Sequence, residues 1–127
     1  MRYKLLIADD EPHIRLLLAQ TFEDLEDEGV ELIVAENGRD ALHIIQEERP
    51  QLVFLDVMMP HLNGMEVCNK VKNELVLPDV HIVLLTAKGQ DVDRQKGVEV
   101  GADAYLTKPF DPDFLLKMAR KVFHLPQ

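Results

Sequence analysis

Five apolar runs punctuate the chain, and each is followed by a stretch with helical periodicity or a helix-start signal. The predicted strands are Tyr3 to Ala8, Glu31 to Ala35, Leu52 to Asp56, Val80 to Leu85 and Asp103 to Leu106. The third is the most telling. Leu52-Val53-Phe54-Leu55 is apolar throughout, as in a strand buried on both faces, and it ends in a single carboxylate, Asp56. A loop with Pro60, Asn63 and Gly64 follows before helical spacing resumes.

The helices are predicted from their caps and stripes. Glu11-Pro12 opens the first, with Ile14, Leu17, Leu18, Phe22 and Leu25 inward, and it ends in the acidic run before Gly29. Asn37 is placed to cap the second; Ala41, Leu42 and Ile45 face inward, and Pro50 stops it. The third spans about Gly64 to Leu75, with Val67, Cys68 and Val71 on one face. Asp91 to Val100 is the fourth, poorer in large apolar residues and closed by Gly101. Asp111-Pro112 starts the fifth, whose buried face is read as Phe114, Leu115, Met118 and Val122. Leu125-Pro126-Gln127 reads as a tail or the start of a linker, so the domain is placed over residues 1–124. Strands alternating with helices imply an α/β fold: a parallel sheet, helices on both faces, right-handed crossovers. The pattern alone leaves the strand order open.

Composition narrows the function. The 127 residues suffice for one domain, and 46% hydrophobic with 29% charged residues is a globular balance. A net charge of −9 repels phosphate backbones, so direct nucleic-acid binding by this segment is not expected. A lone cysteine, Cys68, forms no internal disulfide and fits a reducing compartment. With no membrane-length apolar run and no signal-peptide layout, the chain is read as cytoplasmic and off the membrane. There is no serine, hence no serine triad, and no Gly-rich phosphate loop. Cys68 lies in a helical pattern and reads as a small core residue. His13, His43, His61, His81 and His124 stand at no zinc-like spacing.

In a parallel sheet of this kind ligands bind at the edge where the strands end. Strand one brings Asp9 and Asp10 there, strand three Asp56, strand four Thr86 and strand five Lys108. Glu36 and Asn37, after strand two, lie to one side. Taken singly, these are first-turn acids, an early cap, an ordinary strand-end threonine and a solvated lysine. Their convergence from four strand ends points to a site. Two unit charges ~4 Å apart repel by about 4 kcal/mol at an effective dielectric of ~20, so clustered carboxylates call for a proton or a cation. Hard oxygen ligands with room for water suit Mg²⁺. With a metal and a lysine present, an incoming phosphoryl group is neutralised from two sides.

These residues closely resemble the receiver domains of two-component response regulators. The resemblance covers Tyr3 to about Phe123. It rests on Asp9-Asp10, on Asp56-Val57-Met58-Met59-Pro60 with Gly64, on Thr86-Ala87, and on Gly101-Ala102-Asp103-Ala104-Tyr105-Leu106-Thr107-Lys108-Pro109-Phe110. It implies a flavodoxin-like, doubly wound (βα)5 fold with strand order 2-1-3-4-5. It implies that Asp56 accepts a phosphoryl group from a histidine kinase or phosphotransfer protein. Asp9 and Asp10 would hold Mg²⁺, with Asp10, Asp56 and the Met58 carbonyl as direct ligands. Lys108 would pair with a phosphoryl oxygen, its peptide bond to Pro109 being cis. Thr86 and Tyr105 match the family's switch pair, read out on the surface of the fourth helix, fifth strand and fifth helix, through which many members pair as homodimers.

Met58 and Lys88 occupy the positions that tune phosphoryl loss in this family. Neither can accept a proton from an attacking water or readily orient it, so slow self-dephosphorylation is expected. An aspartyl-phosphate phosphatase needs an acid two residues past the nucleophile, where this chain has Met58. A receiver-like module without phosphate chemistry would lack Asp56, Lys108 or the acid pair, and all are present. The resemblance is therefore to a signalling switch rather than an enzyme, acting through a downstream protein or an output domain.

Overall fold

The computed structural model describes residues 3–87 and 93–126, with the backbone alone at 93–95. Five parallel strands form one sheet in the order β2-β1-β3-β4-β5. They are β1 (Tyr3–Ala8), β2 (Val30–Ala35), β3 (Leu52–Asp56), β4 (His81–Thr86) and β5 (Ala104–Thr107). The helices between them are α1 (Pro12–Thr21), α2 (Gly38–Glu48), α3 (Gly64–Asn69), α4 (Asp93–Glu99) and α5 (Pro112–Val122). This is the flavodoxin-like arrangement that the resemblance implied.

Strand side chains alternate between faces, and the core divides accordingly. Leu6, Ala8, Val53, Leu55, Ile82 and Leu84 pack with Ala41, Ile45, Val67, Cys68 and Val71 from α2, α3 and its continuation. Leu5, Ile7, Leu52, Phe54, Val83 and Leu85 pack on the other face with Leu18, Phe22, Leu115, Ala119 and Phe123. There the rings of Phe22 and Phe54 stack with centroids 5.2 Å apart. Every residue of β3 is buried, as its unbroken apolar run required.

The expected caps are in place. Asn37 accepts from the Asp40 amide at the start of α2, and Asp111 accepts from the Asp113 amide at the start of α5. Asn63, expected only as a loop residue, also caps: with Glu66 it forms a reciprocal capping box on α3. Gly101, at φ 89, takes the left-handed conformation after α4.

Several boundaries and facings differ from expectation. The first helix stops at Thr21, whose hydroxyl bonds back to the Leu17 carbonyl at 2.8 Å, and a separate helical turn, Glu23–Glu26, carries Leu25 inward. Leu17, expected inside, is 39% exposed, because the stripe that reaches the sheet runs through Leu18. Phe114 is likewise half-exposed: the buried stripe of α5 is Leu115, Ala119 and then Phe123, and Phe114 sits about 100° or more round the helix from it. The third helix reaches Glu74, but its last five residues, Lys70–Glu74, are a π-helix. Strands four and five each begin one residue later than expected, and each ends one residue later. Asp103 stays outside β5 because its carboxylate accepts from the Ile82 amide and pairs with Lys72, each at 2.8 Å. The predicted start of the fourth helix, Asp91, lies outside the described residues.

Candidate functional site

The register brings the strand ends level. Ala8 pairs with Ala35 on one side and Leu55 on the other, Asp56 pairs with Leu85, and Thr86 with Thr107. Asp9, Asp56, Thr86 and Lys108 therefore arrive at one edge, each as the last residue of a strand or the one that follows it. Asp9, Asp56 and Thr86 are the buried polar side chains among the described residues. Asp10 and Glu11 are exposed beside them.

Asp9 is bonded through every polar group it has. Its amide donates to the Ala35 carbonyl at 3.2 Å, and its own carbonyl accepts from Nη1 of Arg15 at 2.8 Å. Oδ1 accepts from the Glu11 amide and Oδ2 from Nζ of Lys108, both at 2.9 Å. The same ammonium lies 3.3 Å from Oε1 of Glu11 and 3.7 Å from Oδ1 of Asp56. Asp56 also accepts from the Met58 amide at 3.3 Å. The backbone amide of Lys108 donates to the Thr86 carbonyl at 2.7 Å, and the Lys108–Pro109 bond is cis, as expected.

These surroundings act on the charges. Burial, then the negative charge of Asp9, push the Asp56 carboxyl up from 3.8 to about 7, while Lys108 and the Met58 amide pull the other way. Burial works against the Lys108 ammonium, but the hydrogen bond to Asp9 and the other carboxylates outweigh it, and its pKa is raised. Four carboxylates, Asp9, Asp10, Glu11 and Asp56, each offer an oxygen within 4.8 Å of the others. With one lysine among them the cluster keeps excess negative charge. That donor set, all hard oxygens at a partly open edge, fits a divalent cation that keeps some of its water.

The loop behind Asp56 is held close. Gly64 donates to the Val57 carbonyl at 2.9 Å, and a Cβ on Gly64 would collide with the carbonyl oxygen of Asp56. Thr86 and Tyr105 lie on the same face of neighbouring strands, since Tyr105 pairs with Leu84, two residues before Thr86. The half-buried Tyr105 ring rests on Gly97 of α4, where a Cβ would stand 2.8 Å from Cδ2. The Met58 side chain is 60% exposed. Lys88 lies outside the described residues. His13 reaches Glu11 at 3.5 Å, and His61 reaches Arg39 at 3.4 Å, both at the rim.

Two participants escaped the sequence reading. In the sequence Glu11 is marked only as a first-turn acid, yet it shares Lys108 with Asp9. Arg15 carries no mark in the sequence, because a contact to a backbone carbonyl leaves no trace in motif or periodicity. Elsewhere, Cys68 is fully buried and burial pushes its thiol up to about 12, so it is no nucleophile. A surface cavity of about 670 Å³ lies at the opposite edge, by Tyr3, His81 and His124, and none of the acid cluster lines it. No helix among the described residues is long and apolar enough to cross a membrane.

A five-stranded sheet ordered 2-1-3-4-5 with acids at one edge defines a class, and comparison with known proteins agrees with it. Residues 5–120 match the family model of the response regulator receiver domain, and the chain belongs to that family. It is 43% identical over 113 residues to the alkaline phosphatase synthesis transcriptional regulatory protein PhoP of Bacillus subtilis, covering 88% of this chain and 45% of that protein. It is 40% identical over 118 residues to the phosphate regulon transcriptional regulatory protein PhoB of Pseudomonas aeruginosa, covering 93% and 50%. Among solved structures, the beryllofluoride-activated receiver domain of DrrB superposes with a TM-score of 0.83 at 32% identity, covering 98% of this chain and 99% of that one. The chain spans about half the length of the curated relatives it matches.

Proposed function

We propose that this receiver domain is a phosphorylation switch in which Asp56 takes a phosphoryl group from a histidine of a sensor kinase or phosphotransfer protein. The observation that carries the reading is Asp56 itself: a buried carboxylate at a strand tip, beside Asp9 and Asp10, with the Lys108 ammonium 3.7 Å away. In the step, a carboxylate oxygen of Asp56 bonds to phosphorus as the phosphorus–nitrogen bond breaks. The bonding pair stays on the imidazole, which leaves neutral through the proton on its other nitrogen. Asp10, Asp56 and the Met58 carbonyl would hold Mg²⁺ directly, with Asp9 anchoring the set. When bound, the ion neutralises the carboxylates and withdraws charge from the phosphoryl oxygens.

Lys108 has only a short distance to travel to reach a phosphoryl oxygen on Asp56. Thr86 turns its hydroxyl to that group, and the Tyr105 ring follows into the space vacated. Contacts made only with the phosphorylated form shift the population between two states of the α4-β5-α5 surface. Val98 at 73% exposure and Phe114 at 50% give that surface apolar contacts for a second copy or a downstream partner. The domain, taken as residues 1–124, passes its signal to a separate protein or to an output domain beyond residues 125–127. Both curated relatives are transcriptional regulators about twice this length, which supports the fused arrangement. In either case the segment catalyses only its own phosphoryl transfer and works in the cytoplasm.

Beryllofluoride with Mg²⁺, followed in amide NMR spectra, tests the reading. Resonances of Val57, Thr86, Tyr105 and Lys108 should move in the wild type and stay still in Asp56→Asn. Unmoved wild-type resonances at saturating reagent contradict it.

A further inference from the structure

We infer that Arg15 is a positioning residue for the cation site, fixing the peptide that joins Asp9 to Asp10. The inference rests on the reading above, in which Asp10 is a metal ligand. Arg15 lies in the first turn and a half of α1, and its side chain is only 17% exposed. Nη1 donates to the carbonyl oxygen of Asp9 at 2.8 Å. Nη2 stands 3.9 Å from Oε1 of Glu36, just past the end of β2. The planar fork thus spans the tips of β1 and β2 from the helix that follows β1.

The carbonyl that Arg15 holds belongs to the Asp9–Asp10 peptide, whose plane sets the direction in which the Asp10 Cα–Cβ bond leaves the chain. On the amide side Asp9 is fixed by Ala35, and its side chain by Glu11 and Lys108. Asp10 itself is exposed, so its aim comes chiefly from the backbone before it. Without Arg15 the carbonyl loses a charge-assisted bond that water at a half-buried position replaces poorly. The Asp9–Asp10 peptide is then free to rotate, and the carboxylate aims less well.

Charge alone has the opposite effect. A guanidinium near a cation site repels the cation, so a purely electrostatic role means that removing it tightens Mg²⁺ binding. The sign of the change therefore decides between the two. Loss of a residue that orients a metal ligand typically weakens binding roughly 10- to 100-fold.

The experiment is calorimetric titration of Mg²⁺ into the wild type, Arg15→Met and Arg15→Lys, with thermal unfolding followed in parallel. Arg15→Met is expected to weaken Mg²⁺ binding about tenfold. Arg15→Lys, which keeps the charge but loses the fork, should also weaken it. Phosphoryl uptake from acetyl phosphate by either variant should return to the wild-type rate at saturating Mg²⁺. Unchanged or tighter binding in the variants, even with a lowered Tm, overturns the inference, since a merely structural role moves only Tm. If Arg15→Met does not fold, the Arg15→Lys titration decides by the same criterion. A wild type that binds no Mg²⁺ and takes up no phosphoryl group contradicts the underlying reading instead, a result visible before any variant is compared.

Discussion

Lys108 donates through Nζ to Oδ2 of Asp9 at 2.9 Å, across 99 residues of sequence, and the carboxylate it meets is fully buried. This pair ties the tip of β1 to the loop after β5 across the strands that carry Asp56 and Thr86. Removing one partner of a buried pair leaves a charge without compensation, at a cost of roughly 3–5 kcal/mol. Lys108→Met should destabilise the protein by about that order at pH 7, read from urea unfolding. Adding Asp9→Asn to it should recover much of the loss, since the stranded charge is gone. The raised Lys108 pKa means that the lysine's contribution is fully present through the neutral range and is lost only as pH climbs through that raised value. Two single variants that add without recovery would contradict the pairing.

Asp56 makes the metal-free protein sensitive to pH. Its carboxyl titrates near 7 in the folded chain and near 3.8 when unfolded, so between those values the native state holds the extra proton. Stability attributable to this group therefore falls as pH rises from about 4 to 7 and stays low above that. Asp56→Asn should match the wild type near pH 4 and exceed it at pH 8 by a few kcal/mol, ~4 at most for a shift of about three units. Chemical unfolding at the two pH values, in EDTA, measures the difference. Equal stabilities at pH 8 would contradict the raised pKa.

The buried strands and the edge they share were legible in the sequence for a physical reason. A strand covered on both faces is a continuous apolar run, so the first polar residue after it, as with Asp56, marks the edge. What escaped depends on angles and on single contacts. Leu17 and Phe114 each sit one residue from a buried position, and about 100° on a helix separates burial from exposure. Asp103 was drawn out of β5 by its bonds to Lys72 and to the Ile82 amide. The π-helical turn at Lys70–Glu74 has no apolar signature. Glu11 and Arg15 join the site through a shared lysine and a main-chain carbonyl, neither of which a motif records.

Gly64 packs its backbone against that of Asp56. A methyl group there collides with the Asp56 carbonyl oxygen, and neither partner is a flexible side chain that can move aside. Gly64→Ala should cost about 1–3 kcal/mol and displace Asp56. Loss of Mg²⁺ affinity together with a lower Tm is the expected pair of results. A variant with wild-type values of both would contradict the close approach.

Once phosphorylated, the domain should keep its label. Met58 presents an apolar side chain, 60% exposed, two residues past Asp56, and its thioether neither takes a proton from water nor aims it. Replacing it by Glu or Asn, which can orient a water, should shorten the lifetime of the phosphorylated form about tenfold or more, in line with what positioned acid–base groups contribute. The decay of the purified phosphoprotein, followed by intact mass, measures it. Equal half-lives in wild type and variant would rule out a part for Met58 in the lifetime of the phosphorylated form.

In the proposed switch, Asp56 accepts a phosphoryl group with Mg²⁺. Intact mass after incubation with acetyl phosphate tests it most directly. The expected result is one added phosphoryl group in the presence of Mg²⁺, absent when EDTA replaces the metal and absent in Asp56→Asn. Addition that persists in Asp56→Asn, or no addition to the wild type at any Mg²⁺ concentration, would contradict it.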